Sequence, residues 1–143
     1  MLVNDYMTPD PLTVSTDERV ERIAELIRAH GIRQVPVVDN AHRLVGIVTD
    51  RDLRSAGGFD RKAEAQLVAE DVMSTNLVTI IPGADLAEAA HLLYEHRVGA
   101  LPVVMGEHVV GMLSTRDLLR RLIELSEENV TLAAHHYDPA YPF

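Results

Sequence analysis

The chain has no cysteine, which excludes disulfides, thiolate zinc sites and a cysteine nucleophile and fits a reducing compartment. It is also short of positive charge. Thirteen Lys and Arg stand against 22 Asp and Glu, a formal net charge of −9. Such a surface disfavours nonspecific binding to DNA, RNA or anionic membranes, so neither nucleic acid nor membrane is an expected partner. A small anionic ligand remains compatible, because a few local cations outweigh a distant field. No apolar run is long enough to span a bilayer. Met1–Asp10 carries acids and a proline where a secretion signal needs a basic start and an apolar stretch. A cytoplasmic protein is expected. There is no Gly-x-Ser-x-Gly, no phosphate loop of the Gly-Lys-Ser kind and no repeated pair of carboxylates.

What is present is a repeat. Asp5-Tyr6-Met7-Thr8 lies over Asp71-Val72-Met73-Ser74 at an offset of 66. Ala24 then falls on Ala90, His30 on His96 and Pro36-Val37-Val38 on Pro102-Val103-Val104. After a one-residue deletion the offset is 65, and Val45-Gly46 meets Val110-Gly111 while Arg51-Asp52-Leu53 meets Arg116-Asp117-Leu118. The 143 residues therefore read as two copies of one unit, residues 1–57 and 68–125, with a connector at 58–67 and a tail at 126–143.

Each unit reads β-α-β-β-α. Leu12-Thr13-Val14 and Val78-Thr79-Ile80-Ile81 are β-prone. Ser15-Thr16-Asp17-Glu18 has capping-box spacing, followed by Val20, Ile23, Ala24 and Ile27 on one helical face and Gly31 as a stop. Leu86, Ala89, Ala90 and Leu93 repeat the stripe. Val35–Val38 is a buried-strand run whose proline suggests a strand start or edge. Asp39-Asn40 is a turn, Leu44–Val48 its hairpin partner, and Thr49 or Asp50 caps a helix over Arg51–Ala56. The last helix is expected over Thr115–Leu125. Val130–Ala134 has the composition to continue it, and the prolines of Asp138–Pro142 end it. His135-His136 are poorly spaced for one metal ion, and no metal site is expected.

At His30-Gly31-Ile32-Arg33-Gln34-Val35-Pro36-Val37-Val38-Asp39 with Gly46–Leu53, and again at His96–Val104 with Gly111–Leu118, the sequence resembles the cystathionine-β-synthase (CBS) domain family. The match spans Leu2–Glu124. Met7-Thr8-Pro9, Asp50–Leu53 and Tyr94-Glu95-His96 make it most similar to the acetoin-utilisation protein B type. Members of that type often carry a further regulatory domain, expected here to be missing or removed. The resemblance implies an α+β tandem pair, or Bateman module, with pseudo-two-fold symmetry and two clefts that take AMP, ADP, ATP or another adenosyl ligand. It also implies that lead-in strands near Val3–Met7 and Val68–Met73 cross to line the opposite unit's cleft, and that pairs form homodimeric discs of four CBS units.

Thr49-x-x-Asp52 and Ser114-x-x-Asp117 stand where a strand ends and a helix begins. Free N–H groups and a partial positive charge there suit phosphate, a hydroxyl can donate to it, and a carboxylate can accept from a ribose diol. Arg51 and Arg116 add cations suited to phosphate. The same residues are equally an ordinary helix cap. By resemblance, Ile32-Arg33-Gln34 with Pro36, and Val98-Gly99-Ala100 with Pro102, flank the adenine, and Arg33 is alternatively placed to reach phosphates, those of the neighbouring cleft included. Gln34 is neutral where family members often carry His or Arg, which weighs against tight triphosphate binding. The Arg33/Asp52 and Ala100/Asp117 clefts are expected to differ in affinity.

The resulting expectation is a non-catalytic regulatory module. It requires no cofactor, takes an adenine nucleotide as allosteric ligand and signals to an unknown protein partner. A dimerisation or interaction module with empty clefts is the alternative. A hydrolase using Asp52 or Asp117 as base lacks any nucleophile or metal constellation.

Overall fold

The two apolar stripes become two helices of equal length, and everything around them is duplicated in the same way. The computed structural model describes residues 1–57 and 66–132. A short 3-10 turn, Val3–Asp5, precedes β1 (Thr8–Pro9), β2 (Val14–Ser15), α1 (Val20–His30), β3 (Gln34–Val38), β4 (Leu44–Thr49) and α2 (Asp50–Gly57). The second unit follows with α3 (Ala69–Val72), α4 (Leu86–His96), β5 (Ala100–Met105), β6 (His108–Ser114) and α5 (Thr115–Leu132). The strands form two three-stranded sheets, β2-β3-β4 and β1-β6-β5. This is the expected α+β pair of repeats. Residues 58–65 of the connector, His135-His136 and the end of the tail lie outside the described residues.

The cores are repeat images of one another. Val14, Val20, Ile23, Ile27, Val35, Val37 and Val48 form one; Ile80, Leu86, Ala89, Leu93, Leu101, Val103 and Leu113 form the other. Each is completed from across the molecule. Val3, from the first unit, lies in the second core, and Ala69, from the second, lies in the first; neither is exposed to solvent. The lead-in segments thus cross, as expected, but not as strands. Asp5 and Asp71 accept from the amides of Leu2 (3.4 Å) and Val68 (2.9 Å), and an acid three residues inside a turn favours helical winding. Beyond the turns, Thr8–Pro9 pairs with Met112 and Gly111, and Ser74 makes the equivalent bridge to Ile47.

The capping box expected at Ser15 is not one. Ser15 belongs to β2 and its hydroxyl donates to Asp17, while α1 begins at Val20 with no side-chain cap. Its first amide is met by the crossing chain instead: Val20 N–H donates to the Leu67 carbonyl at 3.0 Å, as Leu86 N–H does to Met1 at 2.9 Å. In the second unit Asp85 caps α4 through Ala87 N–H at 2.9 Å. Gly31 ends α1 at φ 61° as expected, and Arg97 takes the same left-handed conformation at φ 54°.

Pro36 stands inside β3 rather than at its start, which is tolerated because β2 pairs only with Val37 and Val38. The segment Val78–Ile81 contributes a single parallel bridge, Ile80 to Val103. The Asp39 turn forms as read, its carboxylate accepting from Ala41 N, Arg43 N and Arg43 Nε, each at 2.9 Å. The last helix passes Leu125 and continues to Leu132, because Ser126–Asn129 contains no breaker.

Where the lead-ins cross, methionine lies on glycine. A Cβ on Gly46 would overlap Met73 Sδ. One on Gly111 would lie 2.5 Å from Met7 Sδ and 3.1 Å from the Thr8 carbonyl. Gly111→Ala is therefore expected to destabilise by about 1–3 kcal/mol through overpacking, and more than Gly46→Ala, because it presses on backbone as well as on a flexible side chain. Urea unfolding of the two variants measures this ordering.

Candidate functional site

The two strand-to-helix junctions are built alike. Asp52 Oδ2 accepts from Thr49 N–H at 2.9 Å while Asp52 N–H donates to Thr49 Oγ1 at 3.0 Å. Asp117 Oδ2 accepts from Ser114 N–H at 2.8 Å and from Ser114 Oγ at 3.0 Å, and Asp117 N–H donates to Ser114 Oγ at 3.3 Å. Both are reciprocal caps, and both use the same carboxylate oxygen, leaving Oδ1 outside the cap. Each junction is also stitched to the segment before its core strand. Asp50 N–H donates to the Arg33 carbonyl and Thr115 N–H to the Gly99 carbonyl, both at 2.9 Å. Whatever lies against 32–34 or 98–100 is therefore held in register with the start of a helix.

Between the units lies a cavity of about 740 Å³, within the range of small-molecule sites. Of the expected residues, Ile32, Arg33, Gln34 and Pro36 enter it from the first unit, and Gly99, Ala100, Ser114, Arg116 and Asp117 from the second. Thr49, Arg51, Asp52, Val98 and Pro102 do not line it. Pro102 is fully buried, its carbonyl accepting from Ile80 N–H at 3.1 Å. Arg33, expected beside Asp52, faces the cavity of Asp117 as well. Arg97 caps the end of α4 and is not among the lining residues.

The lining also includes residues that were not singled out beforehand: Thr8, Asp10, Pro11, Leu12, His30, Thr115, Met112 and Leu119. Thr8–Leu12 follows directly from the crossing, since β1 runs along β6 to its Gly111. Asp10 holds φ 46° between two prolines, its amide donating to the Val110 carbonyl at 3.2 Å. A left-handed residue before proline is unfavourable in itself and is held here by the turn that carries the chain from β1 into the cavity wall. The lining thus sets Arg33 and Arg116 against Asp10 and Asp117, with His30 beside them. Among the described residues no cluster of metal-binding side chains occurs, and no helix is long and apolar enough to cross a membrane.

The CBS domain model matches residues 3–58 and 68–124. The chain belongs to the CBS-domain family. The CBS domain-containing protein YhcV of Bacillus subtilis is 34% identical over 119 residues, 81% of either chain. Inosine-5'-monophosphate dehydrogenase of Methanocaldococcus jannaschii is 33% identical over 119 residues, 82% of this chain. The match spans only 23% of that enzyme's length. Among solved structures, the acetoin utilization protein AcuB of Vibrio cholerae superposes with a TM-score of 0.79 at 32% identity, covering 97% of this chain and 98% of its own. CBSX2, solved with AMP, superposes at 0.76 and 26% identity, covering 87% and 98%. The CBS pair of MJ0100, solved with 5'-methylthioadenosine and S-adenosyl-L-methionine, superposes at 0.77 and 25% identity, covering 85% and 95%.

Because both carboxylates serve as caps without any ligand, Asp52→Ala and Asp117→Ala are each expected to lower stability by about 1 kcal/mol. Chemical denaturation of the ligand-free protein at neutral pH, with unchanged far-ultraviolet circular dichroism, is the measurement.

Proposed function

We propose that this CBS pair is a non-catalytic regulatory module that binds an adenine nucleotide or related adenosyl ligand in the cavity between its repeats and passes the change in their relative position to a protein partner. The observation that carries the reading is the convergence on one cavity of the Ser114–Asp117 helix start, Arg33 of the first unit and the crossing wall Thr8–Leu12. In this reading Asp117 Oδ1 accepts from the ribose, the first turn of α5 and Arg116 hold phosphate, and Arg33 supplies the second cation. The adenine lies between Gly99-Ala100 and the apolar residues Ile32, Pro36 and Leu12. Thr49, Arg51 and Asp52 form the equivalent cradle on the other side of the pseudo-two-fold, beside Val98.

Support from relatives is that CBSX2 holds AMP and MJ0100 holds two adenosyl ligands. Two arginines against two carboxylates leave little net positive charge in the lining, which favours AMP or an uncharged-tail adenosyl ligand over a triphosphate. Isothermal titration with AMP, ADP, ATP and S-adenosylmethionine is expected to give micromolar to millimolar binding with AMP ahead of ATP. Asp117→Ala should weaken the tighter site by about tenfold or more while the fold survives. No heat with any of the four at millimolar ligand would overturn the reading in favour of an interaction module with empty clefts. Two equal, independent sites would contradict the inequality of the clefts.

The same module is proposed to form a homodimer, a disc of four CBS units, through α4 and α5. These helices pack on one another and present Tyr94, Leu119, Leu122 and Ile123, exposed by 85, 53, 58 and 57%, a patch that asks for a partner. Leu122→Glu with Ile123→Glu is expected to convert the dimer to monomer in sedimentation velocity. A wild-type protein monomeric at tens of micromolar would remove this part of the proposal.

A further inference from the structure

The two lead-in segments are pinned alike by methionine on glycine and by backbone pairing with the opposite hairpin, but among the described residues only one of them has a further side-chain anchor. Tyr6 Oη donates to Glu124 Oε2 at 3.1 Å. The Tyr6 ring centroid lies 5.7 Å from the guanidinium carbon of Arg120 and 5.9 Å from that of Arg121. Arg120 donates to the Tyr6 carbonyl at 3.3 Å. Arg121 in turn pairs with Glu124 at 3.4 Å and Glu128 at 3.8 Å. Desolvation, and then the bond to Glu124, raise the Tyr6 hydroxyl above its ordinary value, so it stays a donor at neutral pH. At the repeat-equivalent positions stand Val72, Ser55, Ala56 and Phe59, which offer neither charge nor phenol. The asymmetry is therefore specific to one lead-in.

Its position matters. Thr8, the first residue of the cavity wall, lies two residues beyond Tyr6, and Arg120 lies one helical turn beyond Asp117. We propose that Tyr6 is a positioning residue for the Asp117 cavity: by clamping the lead-in to α5 it makes the wall Thr8–Leu12 and the cradle Ser114–Asp117 one body, so that closing the cavity on its ligand reorients the far half of α5. This rests on the nucleotide reading above. The clamp is a set of cation–π contacts and one charge-assisted hydrogen bond. Its loss leaves both halves of the site folded but free to shift against each other.

The test uses the full chain carrying Asp52→Ala, so that AMP reports on the Asp117 cavity alone. Because the chain has no cysteine, spin labels at Glu21→Cys and Ser126→Cys report the position of α5 against the first unit. AMP is expected to change the label distance. Tyr6→Leu should weaken AMP about tenfold and abolish the distance change at saturating AMP, and Tyr6→Phe should weaken it about threefold. Val72→Ala, at the equivalent position of the other lead-in, should lower only the melting temperature. If Tyr6→Leu binds AMP within about twofold of its parent and shows the same distance change, the clamp is overturned and the nucleotide reading stands. Should Tyr6→Leu fail to fold, Tyr6→Phe, which keeps the ring, decides by the same two readouts. If the Asp52→Ala protein with Tyr6 intact binds no AMP at millimolar ligand, the reading falls and the clamp's role with it.

Discussion

Each hydrophobic core in this molecule is closed by a residue of the other repeat, and nearly every further feature depends on that exchange. Val3 and Ala69 are repeat equivalents, both without solvent exposure, and each sits among side chains of the opposite unit. The same crossing satisfies backbone groups that would otherwise be orphaned. The first amide of α1 donates to Leu67 and that of α4 to Met1; Val3 N–H donates to Ala84 and Ala69 N–H to Glu18, at 2.8–3.0 Å. Separating the repeats would open two cores and uncap two helices at once. The pair is thus one cooperative body built from two small units, neither of which buries a complete core alone.

The exchange also fixes where a ligand cavity can form. An antiparallel bridge joins Arg43 to His108, its own repeat equivalent, so the pseudo-two-fold axis passes through the contact between the two hairpin turns. Leu44 N–H donates to the Glu107 carbonyl there at 2.8 Å, and Arg43 is held by Asp39 at 2.9 Å. With the turns tied on the axis and the lead-ins tied into the cores, the segments before β3 and β5 are left facing each other across open space. Arg33 reaches the Asp117 side for that reason, not because of anything in its own repeat. In a chain of net charge −9, two arginines converging on one cavity are a local reversal of the overall field.

What the sequence disclosed followed from period and symmetry. The stripes of Val20, Ile23 and Ile27 and of Leu86, Ala89 and Leu93 are buried as their spacing requires, and the paired Thr49/Asp52 and Ser114/Asp117 junctions appear in the same geometry because the repeat carries them together. The failures share a cause. Ser15 to Glu18 has the letters of a capping box, yet the crossing chain supplies the acceptor at α1, a long-range contact that no local window contains. The resemblance implies strands at Val3–Met7 and Val68–Met73, but Asp5 and Asp71 wind them into turns once a core is there to receive Val3 and Ala69. Thr8–Leu12 escaped notice as a cavity wall because its role arises from pairing with β6, a hundred residues away.

Symmetry of this kind constrains how such a module can signal. A ligand moves an equilibrium only by binding its two states unequally, and in a perfectly duplicated frame either cleft would pull the repeats in ways related by the two-fold. Here the frame is duplicated down to individual hydrogen bonds, while the attachments beyond it are not. Both lead-ins are held by methionine on glycine, Met73 on Gly46 and Met7 on Gly111, and by backbone pairing with the opposite hairpin; among the described residues only the first adds a side-chain clamp, Tyr6 between Arg120, Arg121 and Glu124. All three of those partners lie on α5. In the reading proposed above, free energy gained at the Asp117 cavity reaches α5 through Tyr6, a side-chain route that Val72 does not offer beside the other junction. Directionality in that reading comes from breaking the repeat at one aromatic residue, with the two-fold frame kept intact as the fulcrum.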